Sequence, residues 1–74
     1  MKVKQIASNQ TEVTLEDGTR VLFSYETPVA AVTGGKCYKT DKKWSTTTSR
    51  HINAWIWDDA EVKPQSFFDA IGGN

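Results

Sequence analysis

The apolar positions of this chain recur every second residue in its first half and every third or fourth residue later on. Thr11-Glu12-Val13-Thr14-Leu15-Glu16 alternates polar and apolar side chains, the pattern of a strand with one face buried. Asp17-Gly18 follows, and Thr19-Arg20-Val21-Leu22-Phe23-Ser24 completes a second limb. Asp-Gly suits a two-residue hairpin turn, which would pair Glu16 with Thr19 and Val13 with Leu22. The unbroken Val21-Leu22-Phe23 predicts a central strand covered on both faces. Upstream, Lys2 to Ala7 reads as a short first strand that turns at Ser8-Asn9-Gln10. Downstream, Pro28 interrupts the chain. Val29 to Thr33, Gly34-Gly35 and Lys36 to Thr40 then form a second candidate hairpin, and Asp41-Lys42-Lys43 a charged turn.

After Ser45 the period lengthens. Thr46-Thr47-Thr48-Ser49 offers several N-cap residues, with Thr48 or Ser49 the expected cap. Ile52, Trp55 and Ile56 follow at i, i+3, i+4 spacing and predict an amphipathic helix over residues 49 to 57. Asp58-Asp59 opposes the helix dipole at a C-terminus, so the helix should stop near Trp57. Residues 60 to 63 should be extended ahead of Pro64. Ser66-Phe67-Phe68-Asp69 resembles a capping box and predicts a short helix from Ser66 to Ile71, ending at Gly72-Gly73.

These elements predict one α+β domain over residues 1 to 74. A small antiparallel sheet of four or five strands, open or curled into a partly closed barrel, packs with one amphipathic helix and a short C-terminal helix. The expected core is Val13, Leu15, Val21, Leu22, Phe23, Val32, Tyr38, Trp44, Ile52, Trp55 and Ile56.

Composition narrows the function. Seventy-four residues suffice for one domain, and three Trp, three Phe and two Tyr supply the large side chains so small a core requires. The single cysteine, Cys37, has no partner for an internal disulfide, which favours a reducing cytoplasm. Cys37 itself reads as an inert thiol on a strand. The N-terminus lacks the apolar run of a signal peptide, and no segment has the length and apolarity to span a bilayer. One His and one Cys do not make a closed zinc site within one chain, and no metal or other cofactor is expected. No nucleophile elbow or oxyanion-loop sequence surrounds any Ser or Thr, so binding is expected rather than catalysis.

Net charge is zero, yet the charges are segregated. Between residues 36 and 51 stand Lys36, Lys39, Lys42, Lys43 and Arg50 against Asp41 alone. The rest of the chain is acidic in balance. The cations meet hydroxyls and an aromatic ring just before the predicted helix, where free N–H groups and the positive dipole end attract anions. Lys42, Lys43, Ser49, Arg50, His51 and Asn53 are therefore the candidate contacts to nucleic acid or another anion, and Trp44 is a candidate platform for an unpaired base. Trp57, with Asp58 and Asp59 beside it, is the candidate anchor for a protein partner. A minor structural role in a larger assembly is a third reading. The oligomeric state is open.

One block carries a resemblance. Thr47-Thr48-Ser49-Arg50-His51-Ile52-Asn53-Ala54-Trp55, preceded by Lys43-Trp44-Ser45, resembles short proteins of unknown function from bacteriophages and bacterial mobile elements. Tyr25-Glu26-Thr27-Pro28-Val29-Ala30-Ala31 and Pro64-Gln65-Ser66-Phe67-Phe68 look like further shared pieces. The resemblance implies a phage or mobile-element origin and transfers no activity. Such an origin would make the cytoplasm a bacterial host's and the protein partner a host enzyme or defence complex that the chain would inhibit. Ala54 departs from it, standing where a cation is expected.

Overall fold

The computed structural model describes residues 1–56 and 59–73. Six strands form one open sheet in the order β1-β2-β3-β4-β5-β6: β1 Lys2–Ala7, β2 Gln10–Thr14, β3 Arg20–Ser24, β4 Thr27–Thr33, β5 Lys36–Thr40 and β6 Glu61–Lys63. Strands β1 and β6 are the two edges, so the sheet does not close into a barrel. The first five strands are an antiparallel meander. Strand β6 runs parallel to β5, with Tyr38 beside Glu61 and Thr40 beside Lys63. Parallel neighbours need a crossover, and helix α1, Thr46–Trp55, supplies it. Helix α2, Gln65–Phe68, continues into a π-helical turn over Asp69–Gly73.

The turns follow from their residues. Gly34 and Gly35 both have positive φ and close the β4–β5 hairpin with two residues, as expected. The Asp17-Gly18 turn differs. The Leu15 N–H donates to the Thr19 carbonyl (2.8 Å) and the Gly18 N–H to the Leu15 carbonyl (3.0 Å), with Gly18 at φ +91°. The loop is thus three residues, Glu16 to Gly18, and Asp17 secures it by accepting from the Thr19 N–H at 2.9 Å. Val13 consequently pairs with Val21 rather than Leu22. In a pleated sheet that one-residue shift moves Val13 to the opposite face. It leaves Glu12 opposite Leu22, where its carboxylate accepts from the Trp55 indole N–H at 2.8 Å.

Pro28 does not end the element but lies inside β4, opposite Phe23, where the β3–β4 register shifts. A bulge tolerates a residue with no N–H to give. Val21, Ala31 and Phe68 form one buried cluster, and Leu22, Val29, Ala30 and Ile52 another. Val21 and Leu22 are sequence neighbours and face opposite ways, so α1 covers one side of the sheet and α2 the other. Of the expected core, Val21 and Leu22 are fully buried and Ile52 is buried, and most of the rest is half-buried around them. Trp44 is the exception at 42% exposed, its indole N–H donating to the Gln65 side-chain oxygen. Val29, Ala30, Ala31 and Phe68 complete the core.

Helix α1 begins earlier than its apolar spacing predicts. Ser45 is the N-cap, its hydroxyl accepting from the Thr48 N–H at 3.1 Å, so neither Thr48 nor Ser49 caps it. The last turn closes where the Ile56 N–H meets the Ile52 carbonyl. Helix α2 starts after Pro64 with no side-chain cap, so the expected Ser66 capping box does not form. Proline suits that boundary because its fixed φ matches and it has no N–H to leave unpaired.

Candidate functional site

Three segments converge at the N-terminal half of α1. The turn after β5 brings Lys42 and Lys43, with the Lys42 N–H held by the Thr40 hydroxyl at 3.2 Å. Trp44 and Ser45 lead into the helix. The outer face of α1 presents Thr46, Ser49, Arg50 and Asn53, the i, i+3, i+4, i+7 set opposite its buried residues Thr48, His51 and Ile52.

Lys42, Lys43, Ser49 and Asn53 line a single cleft together with Lys39, Thr40, Ile52 and the one carboxylate of Asp41. A second cleft, between Lys43, Trp44, Thr46 and Ser49, adjoins it through their shared residues. Arg50 is exposed on the next helical position and lines neither. Among the described residues Lys42, Lys43 and Arg50 make no ion pair; the pair that forms there is Lys63 with Glu61 at 2.8 Å. That pairing raises the Lys63 ammonium and lowers the Glu61 carboxyl from their ordinary values, the shared hydrogen bond being the larger cause in each. The Lys42 ammonium lies 4.1 Å from the Trp44 ring centre. Cation–π contact occupies one face of that ring, and the Gln65 bond fixes its edge.

His51 does not share this surface. It is buried, with Nδ1 2.8 Å from the Ser24 hydroxyl. Ser24 is in turn 3.0 Å from the Thr48 hydroxyl, and Ser45 donates to Thr48 at 3.3 Å. Each hydroxyl has one proton to give. Because Ser45 donates to Thr48, every proton in the chain finds an acceptor within it when Thr48 donates to Ser24 and Ser24 to Nδ1. A serine hydrogen-bonded to a histidine is the contact on which nucleophilic catalysis is built. Here Ser24 is 2% exposed, and the pair fastens α1 to β3.

The protein-anchor candidates Trp57 and Asp58 lie outside the described residues, and Asp59 is exposed. The sequence reading passed over Gln65, whose side-chain oxygen accepts from Thr40 (2.7 Å) and Trp44 (3.2 Å). Its amide nitrogen donates to the Pro28 carbonyl (2.7 Å) and to Asp69 (3.1 Å). Nothing in local sequence marks such a residue, because all but one of its partners are distant in the chain. Tyr25 was passed over too. Its φ of +58° in the tight β3–β4 turn is unusual for a bulky side chain.

The fold and this surface define a small α+β domain: an open six-stranded mixed sheet with one helix on each face and a cationic corner at the start of the longer helix. The chain belongs to a family of unknown function, DUF8033, whose model matches residues 1–70. Comparison with curated proteins found no match, and comparison with solved structures found none.

Proposed function

We propose that the domain is a non-enzymatic binding module that contacts the phosphates of nucleic acid through the corner formed by Lys42, Lys43, Ser49, Arg50 and Asn53. The observation that carries this reading is the shared cleft: two lysines from the turn meet a hydroxyl and an amide from the helix, with Arg50 on the adjoining helical position. Charge-assisted hydrogen bonds to phosphate need that combination of cation and neutral donor. The start of α1 adds its dipole, and the N–H groups of Thr46 and Thr47 precede the first intrahelical bonds. His51, turned into the core, takes no part.

Counterion release gives the test. About three phosphate contacts on a single strand imply a slope near −2 in a plot of log affinity against log salt. Lys43→Glu should weaken binding and flatten that slope by roughly one contact's share, about 0.7. Binding of a labelled oligonucleotide, measured by anisotropy across a salt series, reads both. An unchanged affinity and slope in Lys43→Glu would remove this corner from the account.

A protein contact is the second reading, and a different surface supports it. All six residues of β1 are exposed, its outer edge pairs with no other strand among the described residues, and Val3 is 66% exposed. Such edges add strands from partners. Loss of partner capture in a variant with proline at Val3 would support it, and retention would oppose it. The resemblance of the Thr47-to-Trp55 block favours a phage or mobile-element origin under either reading, with a bacterial cytoplasm as the setting.

A further inference from the structure

The sequence offers Trp44 as the ring on which a base would stack; Lys42 lies over one face of that ring and Gln65 holds its edge. Another aromatic ring is presented beside the middle of α1. Tyr25 is 52% exposed and sits against the buried His51 ring, with centroids 6.1 Å apart at a 40° tilt. It forms the β3–β4 turn with Glu26, because Ser24 pairs with Thr27 across it. Its φ of +58° is the left-handed conformation that glycine takes freely and an aromatic side chain does not. Its N–H donates to the carbonyl of Asn9, itself at φ +61°, at 2.7 Å. Two turns are thus clipped together, and the tyrosine stands where its own backbone gains nothing from it.

The residues around that ring indicate what it would meet. Gln5, Asn9, Thr11, Glu26 and Thr27 line a cleft with Tyr25. Two amides, two hydroxyls and one carboxylate carry no positive charge, so the cleft is unsuited to phosphate. They are the groups that read base edges: amides pair with adenine in two-point fashion, and a carboxylate accepts from exocyclic amino groups. A base enters such a cleft only when it is unpaired.

We infer that Tyr25 and the Gln5–Asn9–Glu26 cleft form a base-binding subsite, so that the ligand is single-stranded nucleic acid. This rests on the phosphate-binding reading of the Lys42–Lys43 corner and divides the work with it. The corner holds backbone charge on one flank of α1, and Tyr25, against His51, stacks a base on the other.

The test uses the full chain and two labelled probes of about twelve nucleotides, within the range one small domain covers. One is single-stranded DNA of mixed sequence; the other has the same backbone with every base removed. The wild-type chain should bind the base-bearing strand on the order of tenfold more tightly, a typical value for one stacked base. Tyr25→Gly should bind both probes alike while melting at the same temperature as wild type or higher, because glycine fits that φ. Tyr25→Asn, which also tolerates the left-handed region, guards against an unforeseen folding effect. Equal wild-type affinity for the two probes, or a base preference that survives in both variants, would overturn the subsite and leave the phosphate corner standing. No binding of either probe at low salt would end both.

Discussion

At the scale of single residues, the fold is held at two polar junctions that local sequence does not announce. Gln65 uses both lone pairs of its oxygen and both amide protons, tying β4, the end of β5, the Trp44 loop and Asp69 to α2. Truncating it leaves the Thr40 hydroxyl proton without its acceptor and takes the amide donor from the Pro28 carbonyl, in a partly buried setting. Gln65→Ala should therefore lower unfolding free energy by about 1–3 kcal/mol in urea titration. His51 was more legible than it first looks. It stands four residues before Trp55 and next to Ile52, so the apolar stripe that predicts the helix also points His51 inward. What the sequence could not supply was its partner, since Ser24 is twenty-seven positions away. Asp17 gives a pH signature. Its hydrogen bonds from Thr19 hold the carboxyl below its ordinary value of 3.8. A lowered carboxyl stabilises the fold above the unfolded-state value and ceases to do so as pH falls through the folded-state one. The acid limb of a melting-temperature profile should accordingly be shallower in Asp17→Asn, by a small margin because the group is fully exposed.

Among the elements, local signals succeeded where chemistry and geometry lie side by side. Gly34-Gly35 names its own turn, and β1 to β5 follow from alternation and the turn residues between them. The Asp17-Gly18 hairpin shows the limit. Asp-Gly fits a two-residue turn and also a three-residue turn with glycine in the left-handed position, and only hydrogen-bond closure decides between them. The choice fixes which face Val13 occupies and which residue Trp55 meets. Strand β6 was read as extended but not as paired, because three residues before a proline acquire a partner only once α1 has carried the chain back across the sheet. Capping is the sharpest element-scale prediction. Ser45 both accepts from the Thr48 N–H and donates to the Thr48 hydroxyl, so it caps α1 and begins the chain that reaches His51. Ser45→Ala should cost about 1–2 kcal/mol, and Ser45→Asp should recover the cap without recovering the donor. Thermal or urea denaturation of the two variants separates the contributions.

For the molecule as a whole, charge segregation along the sequence becomes partial segregation in space. Lys42 and Lys43 were brought together with Ser49 and Asn53, with Arg50 on the next helical position, while His51 was withdrawn from them. The proposed corner was thus legible in its cations, but the earlier start of its helix at Ser45 and the inward turn of one member were facts of capping and packing. Trp44 was expected both in the core and as a stacking platform; the fold exposes it, with Lys42 over one face of its ring and Gln65 at its edge. Backbone amide chemical shifts, followed by NMR while single-stranded DNA is added, test the central claim most directly. The account predicts that the largest changes fall on residues 42–53 and around Tyr25, and that they shrink as salt is raised. Changes confined to the β1 edge, or absent at low salt, would contradict it.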